Sequence, residues 1–143
     1  MKNEKLPHSR NIQQAKKNEN EIIPILEQYF GKPITQYSNE YSLYDFKIES
    51  TGQEIEYRRR FCRSDKHSTI MLSEHKFKQE GVLFVVEWDD IIAYRELEMW
   101  WAEHSVPFNR TNNWKDGDTV DEKVVWMKVP NFITIFNKSK DVF

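Results

Sequence analysis

Tyr44-Asp45-Phe46-Lys47-Ile48-Glu49-Ser50-Thr51-Gly52-Gln53-Glu54-Ile55-Glu56-Tyr57-Arg58-Arg59-Arg60 reads as a β-hairpin carrying acids and bases on one face. Phe46 and Ile48 alternate with Asp45, Lys47 and Glu49, a Thr-Gly turn follows, and Ile55 and Tyr57 alternate with Glu54, Glu56, Arg58 and Arg60. A period of two sets the charges opposite the buried face. Asp45 and Glu56 are hard oxygen donors suited to a divalent cation, and Arg58 lies on Glu56's side of its strand, where it can face an anionic oxygen. The same pattern also describes a solvated outer face with cross-strand ion pairs, each worth little.

The neighbourhood favours the site. Asp45 lies between Tyr44 and Phe46, Glu56 between Ile55 and Tyr57, and the apolar run Val82-Leu83-Phe84-Val85-Val86-Glu87-Trp88 follows a short helix-like piece. Over roughly residues 18 to 100 this arrangement resembles the PD-(D/E)XK nuclease superfamily. Tyr44-Asp45-Phe46 is similar to its first acidic motif, and Ile55-Glu56-Tyr57-Arg58 to its apolar-(D/E)-apolar-Lys motif. The resemblance implies an α/β fold in which a central mixed β-sheet is flanked by helices, a restriction-endonuclease-like core. It further implies Mg²⁺ or Mn²⁺ bound by Asp45 and Glu56, helped by Glu19 on the first helix and the Tyr57 carbonyl, for phosphodiester hydrolysis in nucleic acid, with DNA as the expected substrate. Glu21 is the reserve for Glu19, and Glu54 competes with Glu56 for the second motif. Arg58 stands where the family carries lysine. Arginine stays charged and orients phosphate, but it cannot share a proton near neutral pH. Lys76, on the helix expected after the second strand, resembles a further lysine that some members carry.

A chain of 143 residues is most simply one domain, and 14% aromatic with 31% charged residues fits a compact, well-solvated protein. The net charge of −2 excludes a generic nucleic-acid coat, so phosphate binding has to be local. Seven lysines and arginines against two acids between Arg58 and Lys78 form that patch, with Arg59, Arg60, Arg63 and Lys66 as candidate nucleic-acid contacts. No apolar run reaches the length of a membrane span, and the polar start does not read as a secretory signal, so a cytoplasmic location without a membrane partner is expected. The lone Cys62 excludes an internal disulfide and a cysteine-rich zinc site.

Residues 1–17, basic and almost without apolar side chains, read as a flexible arm before a single domain over 18–143. Ile22, Ile23, Leu26, Tyr29 and Phe30 predict a helix closed by Gly31-Lys32-Pro33 and complicated by Pro24. A short helix is expected over Glu74 to Glu80, a central strand over Val82 to Trp88, a helix from about Asp90 to His104 capped by Asp89, a long loop over Ser105 to Lys123, and a strand from Val124 broken at Pro130. Two other readings stand beside the nuclease. One is a catalytically inactive protein of the same fold that binds nucleic acid or a protein through the Arg58–Lys78 cluster. The other is an oligomer, in the simplest case a homodimer, built on a patch of Trp100, Trp101 and Trp114.

Overall fold

The computed structural model describes residues 5–38, 41–112 and 118–138, with side chains described for 17–38, 41–108 and 122–138. Its elements are α1 (Lys5–Phe30), β1 (Ile34–Gln36), β2 (Phe46–Ile48), β3 (Glu54–Arg59), β4 (Thr69–Ser73), β5 (Leu83–Glu87), β6 (Ile91–Glu96), β7 (Val106–Asn112), β8 (Asp118–Lys128) and β9 (Ile133–Asn137). Short 3-10 turns cover Glu74–Lys76, Met99–His104 and Val129–Asn131.

The hairpin forms where the alternation requires it. Phe46 pairs with Ile55 and Lys47 with Glu54, and Gly52 makes the turn in the left-handed region at φ 73°, its N–H donating to the Ile48 carbonyl. The hairpin belongs to a six-stranded sheet ordered β1-β2-β3-β5-β6-β9. Only β3 and β5 are parallel, so the sheet is mixed and the fold is mixed α/β. A second antiparallel sheet, β4-β8-β7, completes the architecture.

Both faces of the central strands are covered, and the alternation along β5 records it. Leu83 and Val85 join Ile22 and Leu26 of α1 in one core, with Phe46, Ile48, Ile55 and Tyr57. Phe84 and Val86 point the other way, into a core shared with Ile70 and Leu72 of β4 and with Val125 and Met127 of β8. β5 therefore reads as a continuous apolar run. For β3 the consequence is different: Ile55 and Tyr57 fill the first core, while Glu56 is turned toward the second. Glu56 is the one buried charged residue among the described residues, at 4% exposure. The expectation that the hairpin's charges lie opposite the buried face is thus corrected at that position.

Four other expectations are corrected. α1 begins at Lys5, so residues 5–17 continue the helix rather than forming a separate arm; Pro24 lies within it, and Gly31 ends it at φ 69°. The helix expected over 74–80 is a 3-10 turn of three residues, closed as the Phe77 N–H donates to the Glu74 carbonyl. The helix expected over 90–104 is strand β6 followed by the 3-10 turn at Met99–His104. Asp89 and Asp90 are turn residues rather than a cap, and the Trp88 N–H donates to the Ile91 carbonyl as the chain reverses into β6. The loop expected over 105–123 is the β7–β8 hairpin, whose residues 113–117, Trp114 included, lie outside the described residues. No helix among the described residues is long and apolar enough to cross a membrane.

Candidate functional site

The main chain leaves the β2–β3 ladder at Asp45. Its N–H donates to the carbonyl of Ile55, the residue already paired with Phe46, and the Tyr57 N–H donates instead to Asp45 Oδ2 at 2.8 Å. A side-chain oxygen thus replaces a ladder carbonyl, which holds the acid beside the residue that follows Glu56. Such irregularities at strand ends re-aim a side chain.

Glu56 meets two cations. Lys76 Nζ lies 3.1 Å from Oε1 and Arg58 lies 3.6 Å from Oε2. Arg58 comes from the same strand face, two residues on, and its side chain is 41% exposed. Lys76 arrives from the 3-10 turn and is mostly buried. Its ammonium donates to the Leu43 carbonyl and sits 5.8 Å from the centre of the Tyr44 ring, while the Tyr44 hydroxyl donates to the Lys76 carbonyl at 2.7 Å. The segment that leads into Asp45 therefore also positions Lys76. Tyr44 and Leu43 went unnoticed as positioning residues in the sequence, because Tyr44 reads there only as an apolar neighbour.

Burial pushes the Glu56 carboxyl up from 4.5 to about 7, and the charge of Asp45 adds to the effect against the opposing pull of Lys76 and Arg58. Asp45 is also raised, chiefly by burial, against its hydrogen bond from Tyr57 and the charges of Lys76 and Arg58. The Lys76 ammonium, 3.1 Å from Glu56 Oε1, is that oxygen's partner, and its hydrogen bond and charge work against the upward shift.

A hard cation fits this donor set in one specific sense. No cluster of three or more His, Cys, Asp or Glu side chains suited to a metal occurs among the described residues, so an all-protein cage is not built here. Mg²⁺ typically takes one or two carboxylates together with waters and substrate phosphate, and Asp45 and Glu56 supply two.

Glu19 is not brought to the pair. Its carboxylate accepts a 2.7 Å hydrogen bond from Gln36 Nε2 and acts electrostatically on Tyr57, which alternates with Glu56 and points to the α1 side of the sheet. Glu21 is exposed on the same helix. Glu54, the alternative to Glu56, accepts a hydrogen bond from the Tyr37 hydroxyl. The basic cluster divides. Arg59 is committed to Asp89 at 2.8 Å and stacks over Phe61 at 4.4 Å, and Arg63 contacts Asp65 and Asp90 at 3.5 and 3.7 Å. Lys66 is exposed and Arg60 half-buried in the loop that leaves β3. Cys62 packs at the edge of the second core.

Comparison with models of known protein families, with curated proteins and with solved structures finds no match.

Proposed function

We propose that this chain is a metal-dependent nuclease of the PD-(D/E)XK type that hydrolyses phosphodiester bonds in nucleic acid, with DNA as the expected substrate. The observation that carries the reading is Glu56: a carboxylate set at a core position, beside Asp45 and against Lys76 and Arg58, where an apolar side chain would have stabilised the fold. Groups held at such a cost in solvation are characteristic of working sites. The order of elements supports it as well. A helix, three antiparallel strands and a strand parallel to the third surround the two motifs, although β6 replaces the helix expected after β5.

Asp45 and Glu56 would hold Mg²⁺ or Mn²⁺, and the bound ion would activate a water and offset charge growing on the phosphate. The chain's own side chains supply the rest. The Tyr57 N–H fixes the Asp45 carboxylate in orientation. Arg58, permanently charged and partly exposed, orients a phosphate oxygen. Lys76, from the crossover between β3 and β5, stands against Glu56 and takes the place of the lysine missing from the Arg58 position. Both cations would have to turn from Glu56 toward a substrate phosphate before the carboxylates could take the ion.

A second reading has its own observation. Arg58 and Lys76 both pair with Glu56, which suits a non-catalytic protein that binds nucleic acid through its basic loop. The deciding experiment is incubation of single-stranded, double-stranded and branched DNA and RNA with Mg²⁺ or Mn²⁺, alongside the Asp45→Asn/Glu56→Gln double variant. Cleavage by the parent that is lost in the variant establishes the nuclease. Equal inertness with retained binding establishes the binder.

A further inference from the structure

On the face of the main sheet that carries Glu56, a groove of about 400 Å³ opens between β6, the 3-10 turn at Met99–His104 and β8. Its walls include Trp100, Trp101 and Trp126 together with Arg95, His104 and Lys128. Trp100 and Trp126 are about half exposed, among the largest apolar surfaces left uncovered. Arg95 lies over the Trp101 ring at 4.7 Å, Trp101 stands edge-on to Trp100, and Phe108 supports Trp126 at 6.1 Å. Among the described residues no Asp or Glu lines the groove, and nearby Glu98 is turned onto the Trp100 indole N–H at 3.1 Å.

We propose that this groove is a stacking site for unpaired bases of a single-stranded nucleic acid, with Arg95 and Lys128 taking its phosphates. Aromatic faces combined with cations and no acids suit a ligand that is flat, apolar on its faces and anionic along its backbone. An apolar protein surface would have no use for the cations. A duplex keeps its bases stacked on one another and cannot offer them to an indole. The location agrees: Glu56 pairs with Phe84 and Phe84 with Arg95, so Glu56 and Arg95 lie on one line across the same face. Two inter-strand spacings separate their backbones, about 10 Å. The groove and the carboxylate pair therefore lie on one face of the sheet, with the fully buried Phe84 between them. The inference rests on the nucleic-acid reading above, but not on cleavage.

The test uses the full chain with Asp45→Asn/Glu56→Gln in EDTA, so that cleavage plays no part. Binding of a thymidine 12-mer and of a duplex of equal length is followed by anisotropy of a labelled strand and by tryptophan fluorescence. Binding of the single strand with tryptophan quenching is expected. Trp126→Ala should weaken it about 10-fold, as expected for loss of one stacked base, Trp126→Phe should largely restore it, and Lys128→Ala should reduce its salt dependence. Duplex affinity should be unaffected by either Trp126 variant. Trp126 is a surface residue, and unchanged melting of the variants excludes unfolding as the cause. Equal single-strand affinity in parent and Trp126→Ala would overturn the proposal, as would equal losses for single strand and duplex. Sedimentation showing a dimer that Trp126→Ala dissociates, with oligonucleotide binding unchanged, would assign the groove to self-association instead. Failure of the wild type to cleave would leave this result untouched.

Discussion

Replacing Glu56 by Gln keeps the side chain's shape and removes its charge, so the substitution separates a working carboxylate from a structural ion pair. The folded chain holds this carboxyl at about 7 against 4.5 when unperturbed, mainly through burial. Between those values the folded state keeps a proton that the unfolded chain has released. The associated stability is present in full below pH 4.5 and is lost as pH rises through 7. The interval corresponds to roughly 3 kcal/mol. Only 5% of the side chain is exposed, so solvent screening takes little from it. Gln resembles the protonated acid at every pH. The stability of Glu56→Gln relative to wild type should therefore rise by roughly 3 kcal/mol from pH 4.5 to pH 8, while metal-dependent cleavage is lost. Urea unfolding of both proteins at matched pH gives this difference directly. Subtraction removes the opposite contribution of Asp90, whose lowered carboxyl costs stability as pH falls. It likewise removes that of His75, whose ring is lowered by burial. A difference that stays flat, or that falls toward pH 8, would refute the reasoning, because it would mean that the Lys76 and Arg58 ion pairs outweigh the desolvation of Glu56.

The other expectations follow from the same geometry. Mn²⁺ binding measured by calorimetry should be weak for the chain alone and tighter with a non-cleavable oligonucleotide present, because phosphate draws Arg58 and Lys76 off Glu56; reciprocity requires Mn²⁺ to tighten oligonucleotide binding by the same factor. Lys76→Met should remove cleavage and move the Glu56 titration further up, since Lys76 is among the groups that hold it down; carboxyl NMR chemical shifts followed against pH report the movement. Arg58→Lys should keep or raise cleavage, and a complete loss would show that the bidentate fork is required there. Replacing Arg60, Arg63 and Lys66 with Gln should weaken nucleic-acid binding and reduce its salt slope by about 0.7–0.9 for each phosphate contact removed. Arg59 is left out of that set because it is mostly buried and paired with Asp89 at 2.8 Å, whereas Arg63 is largely exposed and its contacts with Asp65 and Asp90 are longer.

The hairpin, its turn and the central strand are legible because local alternation and Gly52 determine them, with β3 and β5 later sharing one sheet. The stretch after Asp89 misleads for a physical reason. Ile91, Ile92, Tyr94, Leu97 and Trp101 recur at helical spacing, yet β6 is buried between β5 and β9, and pairing on both sides overrides a periodicity that short apolar runs carry ambiguously. The β7–β8 hairpin is hidden because Pro107 and Asn109, residue types common in loops, lie within β7. In the site, Asp45, Glu56 and Arg58 are close in sequence and already stand out there. Lys76 reaches them by a route that depends on Leu43 and Tyr44, a tertiary contact with no periodic signal. Glu19 has the right spacing along α1, but α1 covers the sheet face opposite Glu56. No local pattern discloses that Glu56 is buried, because this follows from tertiary packing that brings Lys76 and the Tyr44 segment against it.

The most direct measurement is the single-turnover rate of oligonucleotide cleavage against pH, at a cation concentration well below saturation. The account predicts cleavage whose rate climbs as pH rises through neutrality and Glu56 ionises, with no activity in Asp45→Asn/Glu56→Gln. Cleavage that persists in the double variant, or a wild type inert with both Mg²⁺ and Mn²⁺ across that range, would contradict it.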